Sequence, residues 1–227
     1  MAESKVKFSA VVIGSITVET DALKNIEGLK IFKVTDKKSC EETIQQISSD
    51  DVVFIISDGR EVYYAEKFFS RLPVLKIYLV TEAQAADNKN LSDAIVQLPA
   101  QNFSQKIYQV IRAFDDFLNV EGTLNLDFAD VKSALKNSGK AVSSIGAGAN
   151  IEDAVTNALD GHEIKSAQAI LMNVKAADSM TMPELKAALE KVQAAAHEDA
   201  KIIWGVTVDE TLGDKVKVAI LAGKLDR

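Results

Sequence analysis

The sequence predicts an α/β protein. Short apolar β-branched runs alternate with helical patterns through the first hundred residues, the mark of a parallel sheet. A long amphipathic stretch follows. A second alternation of helices and strands then runs to the end. The pattern divides the 227 residues into a reduced parallel-sheet domain at 1–99, a central helix at 100–118 and a smaller mixed α/β domain at 119–227.

The elements can be justified in order. Residues 6–14 and 29–34 read as strands, rich in Val, Ile and Phe. Ser39-Cys40-Glu41-Glu42 has the form of a capping box, with Ile44 and Ile47 following at helical spacing. The run Val52-Val53-Phe54-Ile55-Ile56 is apolar on both faces, as a central strand of a parallel sheet must be. Residues 60–72 read as a helix with Val62, Ala65, Phe69 and Leu72 on one stripe. Residues 74–80 and 94–98 read as strands, with a polar loop at 84–90 between them. The central helix carries Ile107, Val110, Ile111, Phe114 and Leu118 on its buried side. Beyond it come a helix at 128–136, a strand at 140–144 and a helix at 151–159 capped by Asn150. A strand at 167–174 and a helix at 181–196 follow, the helix opened by Thr181-x-x-Glu184 with Pro183 in its first turn. Strands at 201–208 and 215–222, joined by a turn at 211–214, complete the chain.

Composition excludes several classes. A net charge of −7 leaves no basic face for nucleic acid. No apolar run approaches the ~20 residues of a membrane span, so no direct membrane insertion is expected. Met1-Ala2-Glu3-Ser4-Lys5 has no signal-peptide pattern, and Cys40 is the only cysteine, which fits a cytoplasmic protein. His162 and His197 read as surface residues. The pairs Glu41-Glu42 and Asp115-Asp116 read as solvated faces. Tyr63, Tyr64, Phe68 and Phe69 read as core and rim packing, and Trp204 as core.

The most informative stretch is Gly122-Thr123-Leu124-Asn125-Leu126-Asp127-Phe128-Ala129-Asp130-Val131. Its Asn-x-Asp-Phe-Ala-Asp core resembles the catalytic synergy loop of the FtsZ branch of the FtsZ/tubulin superfamily. Further blocks agree in order. Residues 167–174 resemble the family's G-x-L-x-N-I strand. Residues 201–210, followed by Leu212-Gly213-Asp214-Lys215-Val216-Lys217-Val218, resemble its paired terminal strands. The resemblance is strongest over 116–224. It implies a reduced tubulin/FtsZ-like architecture. It also implies a loop that serves the nucleotide pocket of the next subunit in a filament, with Asn125, Asp127 and Asp130 as the residues that act there. The residues themselves also fit a local role: Asp127 can cap the helix beginning at Phe128, and Asp130 complements its dipole.

The N-terminal third departs from that family. FtsZ carries glycine-rich loops because only glycine lets backbone N–H groups close on phosphates. Here the first strand ends Gly14-Ser15-Ile16-Thr17-Val18-Glu19, and the strand at 51–57 runs into Asp58-Gly59-Arg60-Glu61. Ile16 adds bulk, and Glu19, Asp58 and Glu61 add negative charge. Arg60 can contact a phosphate, but one arginine is not a cradle. Gly14, Ser15, Asp58, Gly59 and Arg60 are therefore the remnants of a degenerate site.

The expectation is an FtsZ-like cytoskeletal or cell-division protein that neither binds nor hydrolyses GTP by itself and has no cofactor of its own. Its partner would be another copy of itself or a conventional FtsZ-type subunit, whose GTP hydrolysis it could complete while capping or modulating filaments. The alternative is a divergent GTPase that polymerises with GTP or GDP in an atypical pocket. A third reading is a former tubulin-like protein serving as an unrelated binding module. No metal site is expected.

Overall fold

The structure is a computed structural model and describes residues 5–57, 63–81, 92–119, 126–177 and 180–225. Two compact units divide the chain. The first is Met1–Arg112 with Lys136–Gly139, and the second is Ala113–Leu135 with Lys140–Arg227.

The first unit is built on a parallel sheet in the order β2-β1-β3-β4-β5. Its strands are β1 (Phe8–Ile13), β2 (Lys30–Val34), β3 (Val52–Ser57), β4 (Leu75–Thr81) and β5 (Ala94–Leu98). Every residue of β1 and β3 is buried, which is why both read as mainly apolar runs, the buried Ser9 of β1 bonding to Asp50. On one face, Val11, Ile13, Val53, Ile55, Tyr78 and Val80 form a core with Cys40 and Ile47 of α1 (Lys37–Ile47) and Ala65 and Phe69 of α2 (Tyr63–Phe69). Burial pushes the Cys40 thiol up to about 11. Edge strand β2 is only partly covered.

Helix α3 (Phe103–Leu118) begins three residues later than its apolar pattern suggested, after Asn102 in the left-handed region at φ 58°. Its first part, with Ile107, Val110 and Ile111 buried, belongs to the first unit, and its last turn belongs to the second.

The second unit carries strands in the order β6-β9-β7-β8: β6 (Gly139–Gly148), β7 (Ala169–Ala176), β8 (Lys201–Val208) and β9 (Val216–Gly223). Strand β9 runs antiparallel to both its neighbours, and β7 runs parallel to β8. Helices α5 (Ile151–Leu159) and α6 (Met182–Ala195) cover one face, packing Ala154, Val155, Ala158, Leu185, Ala188 and Val192 on Ile170, Met172, Val174, Val218 and Ile220. Helix α4 (Phe128–Leu135) lies against β7. Gly146 and Gly148 let β6 meet α5 at backbone distance: a Cβ on Gly146 would stand 2.1 Å from the Ala154 carbonyl oxygen.

Several expectations are corrected. The last two strands are consecutive but not paired, because β7 lies between β8 and β9 and hydrogen-bonds to both. The N-cap of α1 is Asp36, whose carboxylate accepts from the Ser39 N–H while the Ser39 hydroxyl receives the Asp36 N–H, so Ser39 is the third helical residue and not the cap. Strand β6 extends to Gly148, four residues beyond the expected end at 144, through Ile145, Gly146 and Ala147, whose ladder to β9 continues as far as Val216. The described part of α2 is Tyr63–Phe69; residues 60–62 and the polar loop at 84–90 lie outside the described residues. Trp204 is half-buried at the rim of the α5–α6 core, on an edge strand with a neighbour on one side only. Asp115 and Asp116 are not solvated; Asp115 is 5% exposed. The capping box of α6 (Thr181 with Glu184) and the Asn150 cap of α5 are as expected. Phe69 is buried and Phe68 packs beside it, while Glu41, Glu42 and His162 are exposed and His197 is half-buried.

Candidate functional site

The Asn-x-Asp-Phe-Ala-Asp string enters the described structure at Leu126, which is buried and seats the chain before α4. Asp127 precedes the first helical residue and is exposed. Its Oδ1 accepts from the Ala129 N–H at 2.8 Å, and its carbonyl accepts from the N–H groups of Asp130 and Val131, each at 3.1 Å. This is a helix cap made by an acidic side chain at the positive end of the dipole. Asp130, one residue into the helix's first turn beyond Ala129, stands 3.2 Å from the Lys201 ammonium at the start of β8. Val131, Ala134 and Leu135 are buried and fix the helix. Asn125 lies outside the described residues.

The chain on the other side of 120–125 is held just as firmly. The Asn119 N–H donates to the Asp115 carbonyl at 2.8 Å, and its side-chain amide donates to Asp115 Oδ1 at 3.2 Å. Asp116 pairs with Lys175 of β7 at 2.9 Å, both side chains 14% exposed, and Lys175 also lies 3.9 Å from Asp209. The Thr207 hydroxyl reaches the Asp116 carbonyl at 3.5 Å, and the Asn173 amide donates to Thr207 at 3.2 Å. The Thr211 hydroxyl, more than any other group, holds the Asp209 carboxyl below the usual range, with Lys175 and Lys217 adding attraction. So the end of α3, through Asp116, and the start of α4, through Asp130, are each tied to the β7–β8 pair.

Sequence reading missed Lys175, Thr207, Asn173 and Lys201. One signal was available. A lysine inside a strand that is otherwise buried, Ala-Ile-Leu-Met-Asn-Val-Lys-Ala, needs carboxylate partners, and the Asp115-Asp116 pair was there to supply one.

Gly14 and Ser15 belong to the first unit. Gly14 is buried, takes φ 82° and donates its N–H to the Val34 carbonyl at 2.9 Å. Ser15 is exposed and Ile16 half-buried. The Glu19 N–H donates to the Ser104 hydroxyl at 3.1 Å. Two backbone donors of the 14–19 segment are thus committed within the protein. Beside that segment lies a pocket of about 260 Å³ lined by Val12, Ile16, Thr17, Val18, Ile31 and Lys33, among others. Asp58, Gly59 and Arg60 lie outside the described residues. Among the described residues no group of three or more His, Cys, Asp or Glu could hold a metal ion, and no helix is long and apolar enough to cross a membrane.

The FtsZ family, C-terminal domain, matches residues 132–226. A cell division protein FtsZ from Wolbachia sp is 34% identical over 124 residues, which is 51% of this chain and 31% of that protein. One from Wolbachia pipientis is 33% identical over 124 residues, 51% of this chain and 39% of that protein. The matched segment therefore spans well under half the length of these curated relatives. Solved structures match almost the whole chain. An empty FtsZ dimer from M. jannaschii gives a TM-score of 0.78 at 20% identity, covering 98% of this chain and 89% of that one. The GDP-form protofilament of TubZ from Bacillus thuringiensis serovar israelensis gives 0.66 at 8% identity, covering 98% and 87%. The chain shares its fold with the FtsZ and TubZ structures, and its sequence likeness to FtsZ is confined to about half of it, with the FtsZ family, C-terminal domain, matching residues 132–226.

Proposed function

We propose that this chain is an FtsZ-like cytoskeletal or cell-division protein that does not bind GTP by itself and assembles through the end that carries Asn125, Asp127 and Asp130. The observation that carries the reading is the exposed carboxylate of Asp127 at the head of α4, within a string that resembles the FtsZ synergy loop. The relatives named cell division protein FtsZ support the general class. The committed N–H groups of Gly14 and Glu19, and the bulk of Ile16, support the absence of a phosphate cradle, which needs convergent backbone donors.

In this reading the partner is a second copy or a conventional FtsZ-type subunit. Against a GTP-loaded neighbour, Asp127 would orient the attacking water as a hydrogen-bond acceptor, the water-positioning role that phosphoryl transfer requires. Asp130, already paired with Lys201, would shape the field around it. The opposite end, without a GTP site, would offer the next subunit a poor surface, so the chain would cap or modulate filaments. The test adds the protein to a polymerising FtsZ from the same source and follows GTP turnover and pelleting. A change in either signal that Asp127→Ala abolishes and Asp130→Ala weakens is expected. No change in either, with a strictly monomeric chain by light scattering, overturns the reading.

A further inference from the structure

The pocket beside residues 14–20 is not the phosphate site that the superfamily fold suggests, and its chemistry points elsewhere. It arises from register. Strand β2 is an edge strand, and Val12 of β1 lies opposite Lys33 while Ala10 lies opposite Ile31. Ile31 and Lys33 are two residues apart and so share one face with Val12. The opposite face of these strands is filled by Val11, Ile13 and Val34 in the core shared with α1 and α2. The strap 16–20 adds Ile16, Thr17, Val18 and Thr20 to the lining, and Phe32, whose register partner is Val11, also contributes to it at this edge of the sheet. The strap is held at both ends: Gly14 donates to Val34, Glu19 donates to Ser104, and the Thr20 carbonyl accepts from the Lys24 N–H at 3.2 Å.

The result is a pocket with an apolar floor and walls, two hydroxyls and one cation. Lys33 is exposed, and among the described residues no carboxylate is paired with it. Glu19, the acidic residue of the strap, is not part of the lining. The volume of about 260 Å³ lies just below the ~300 Å³ at which pockets for drug-sized ligands begin. A short hydrocarbon chain fits the walls, and an anionic head matches the ammonium at the rim.

We propose that this pocket binds a small amphipathic carboxylate, its chain against Val12, Ile16, Val18 and Ile31 and its head at Lys33 with Thr17 or Thr20 donating a second hydrogen bond. Occupancy would tether the strap to β2. The site is independent of the nucleotide reading above, since none of its chemistry requires a phosphate cradle.

The probe is octanoate, titrated into the full chain by calorimetry and by amide NMR, with octanol as the uncharged arm and GTP in a separate titration. Saturable octanoate binding is expected, with shifts at Thr17, Ile31 and Lys33, and with octanol binding about tenfold weaker. Lys33→Gln, an exposed change that leaves the sheet intact, should weaken octanoate about tenfold and leave octanol unchanged. Thr17→Trp, which fills the pocket from an exposed position, should abolish both. No saturable octanoate binding, binding equal for octanol, or binding that survives both substitutions overturns the proposal. GTP binding bears on the nucleotide reading alone unless it displaces octanoate, which would also overturn the pocket's assignment.

Discussion

The two units are held together by different means. The second unit matches the FtsZ C-terminal domain over residues 132–226, and its close contacts depend on particular residues. Gly146 and Gly148 admit α5 to β6, and Lys175 sits between two carboxylates where an apolar strand would otherwise be expected. The first unit is held by runs of fully buried β-branched residues in β1 and β3, which many sequences could satisfy. Its loops are free to change because they carry little of the packing. Gly14 illustrates the difference. It survives for its left-handed turn, while the residues after it are bulky or acidic. Folds outlast sites when the site sits on loops and the fold rests on buried strands.

The sharpest test of that contrast is Gly146→Val. Its side chain would meet the backbone of Ala154 and Ala158, neither of which can swing aside, so a loss of about 3 kcal/mol is expected. Limited proteolysis should show the cuts within the second unit. A neutral result would mean that the β6–α5 contact is not close-packed.

Next in size is Lys175→Ala, which removes the ammonium that lies 2.9 Å from Asp116 and 3.9 Å from Asp209. For side chains this enclosed the expected loss is about 2–3 kcal/mol, read from urea unfolding. Asp130→Ala removes an ion pair whose partners are 49% and 65% exposed and should cost less than about 1 kcal/mol. Equal losses would show that burial does not separate the two pairs.

In the first unit, Gly14→Ala imposes a side chain on φ 82° and should cost about 1–2 kcal/mol. The cost is one of backbone strain at the turn that leads into the strap, read from urea unfolding.

The smallest effect is on pH dependence. The carboxyl of Asp209 is held below its ordinary range in the folded protein, so its contribution is fully present above the unfolded pKa of about 3.9 and is lost as pH falls through the folded one. Asp209→Asn should flatten the fall in stability below about pH 4 and change little at neutral pH. An unchanged acid limb would place the effect on other carboxylates.

These contrasts also explain what could be read from sequence. Strands β3, β5 and β8 and helix α5 were legible within a residue because each is defined locally, by an apolar run or by a cap such as Asn150. The pairing of β8 with β7, and not with β9, was not legible, because consecutive strands usually neighbour each other and only the sheet's full order shows the exception. The start of α1 was misplaced because Ser39-x-x-Glu42 and Asp36-x-x-Ser39 both have the spacing of a reciprocal cap, and spacing alone does not choose between them. At the candidate site, Asp127 and Asp130 were found from their own string. Lys175 and Lys201 come from strands dozens of residues away, and only the folded register brings them to the ends of α3 and α4.

The proposal that this FtsZ-like fold carries no working nucleotide site is tested most directly by calorimetric titration of GTP and GDP into the purified, full chain, alongside assay of the protein as isolated for carried nucleotide. The account predicts no saturable heat and no carried nucleotide. Micromolar binding of GTP, or GDP released on denaturation, would contradict it and would make the chain a divergent GTPase.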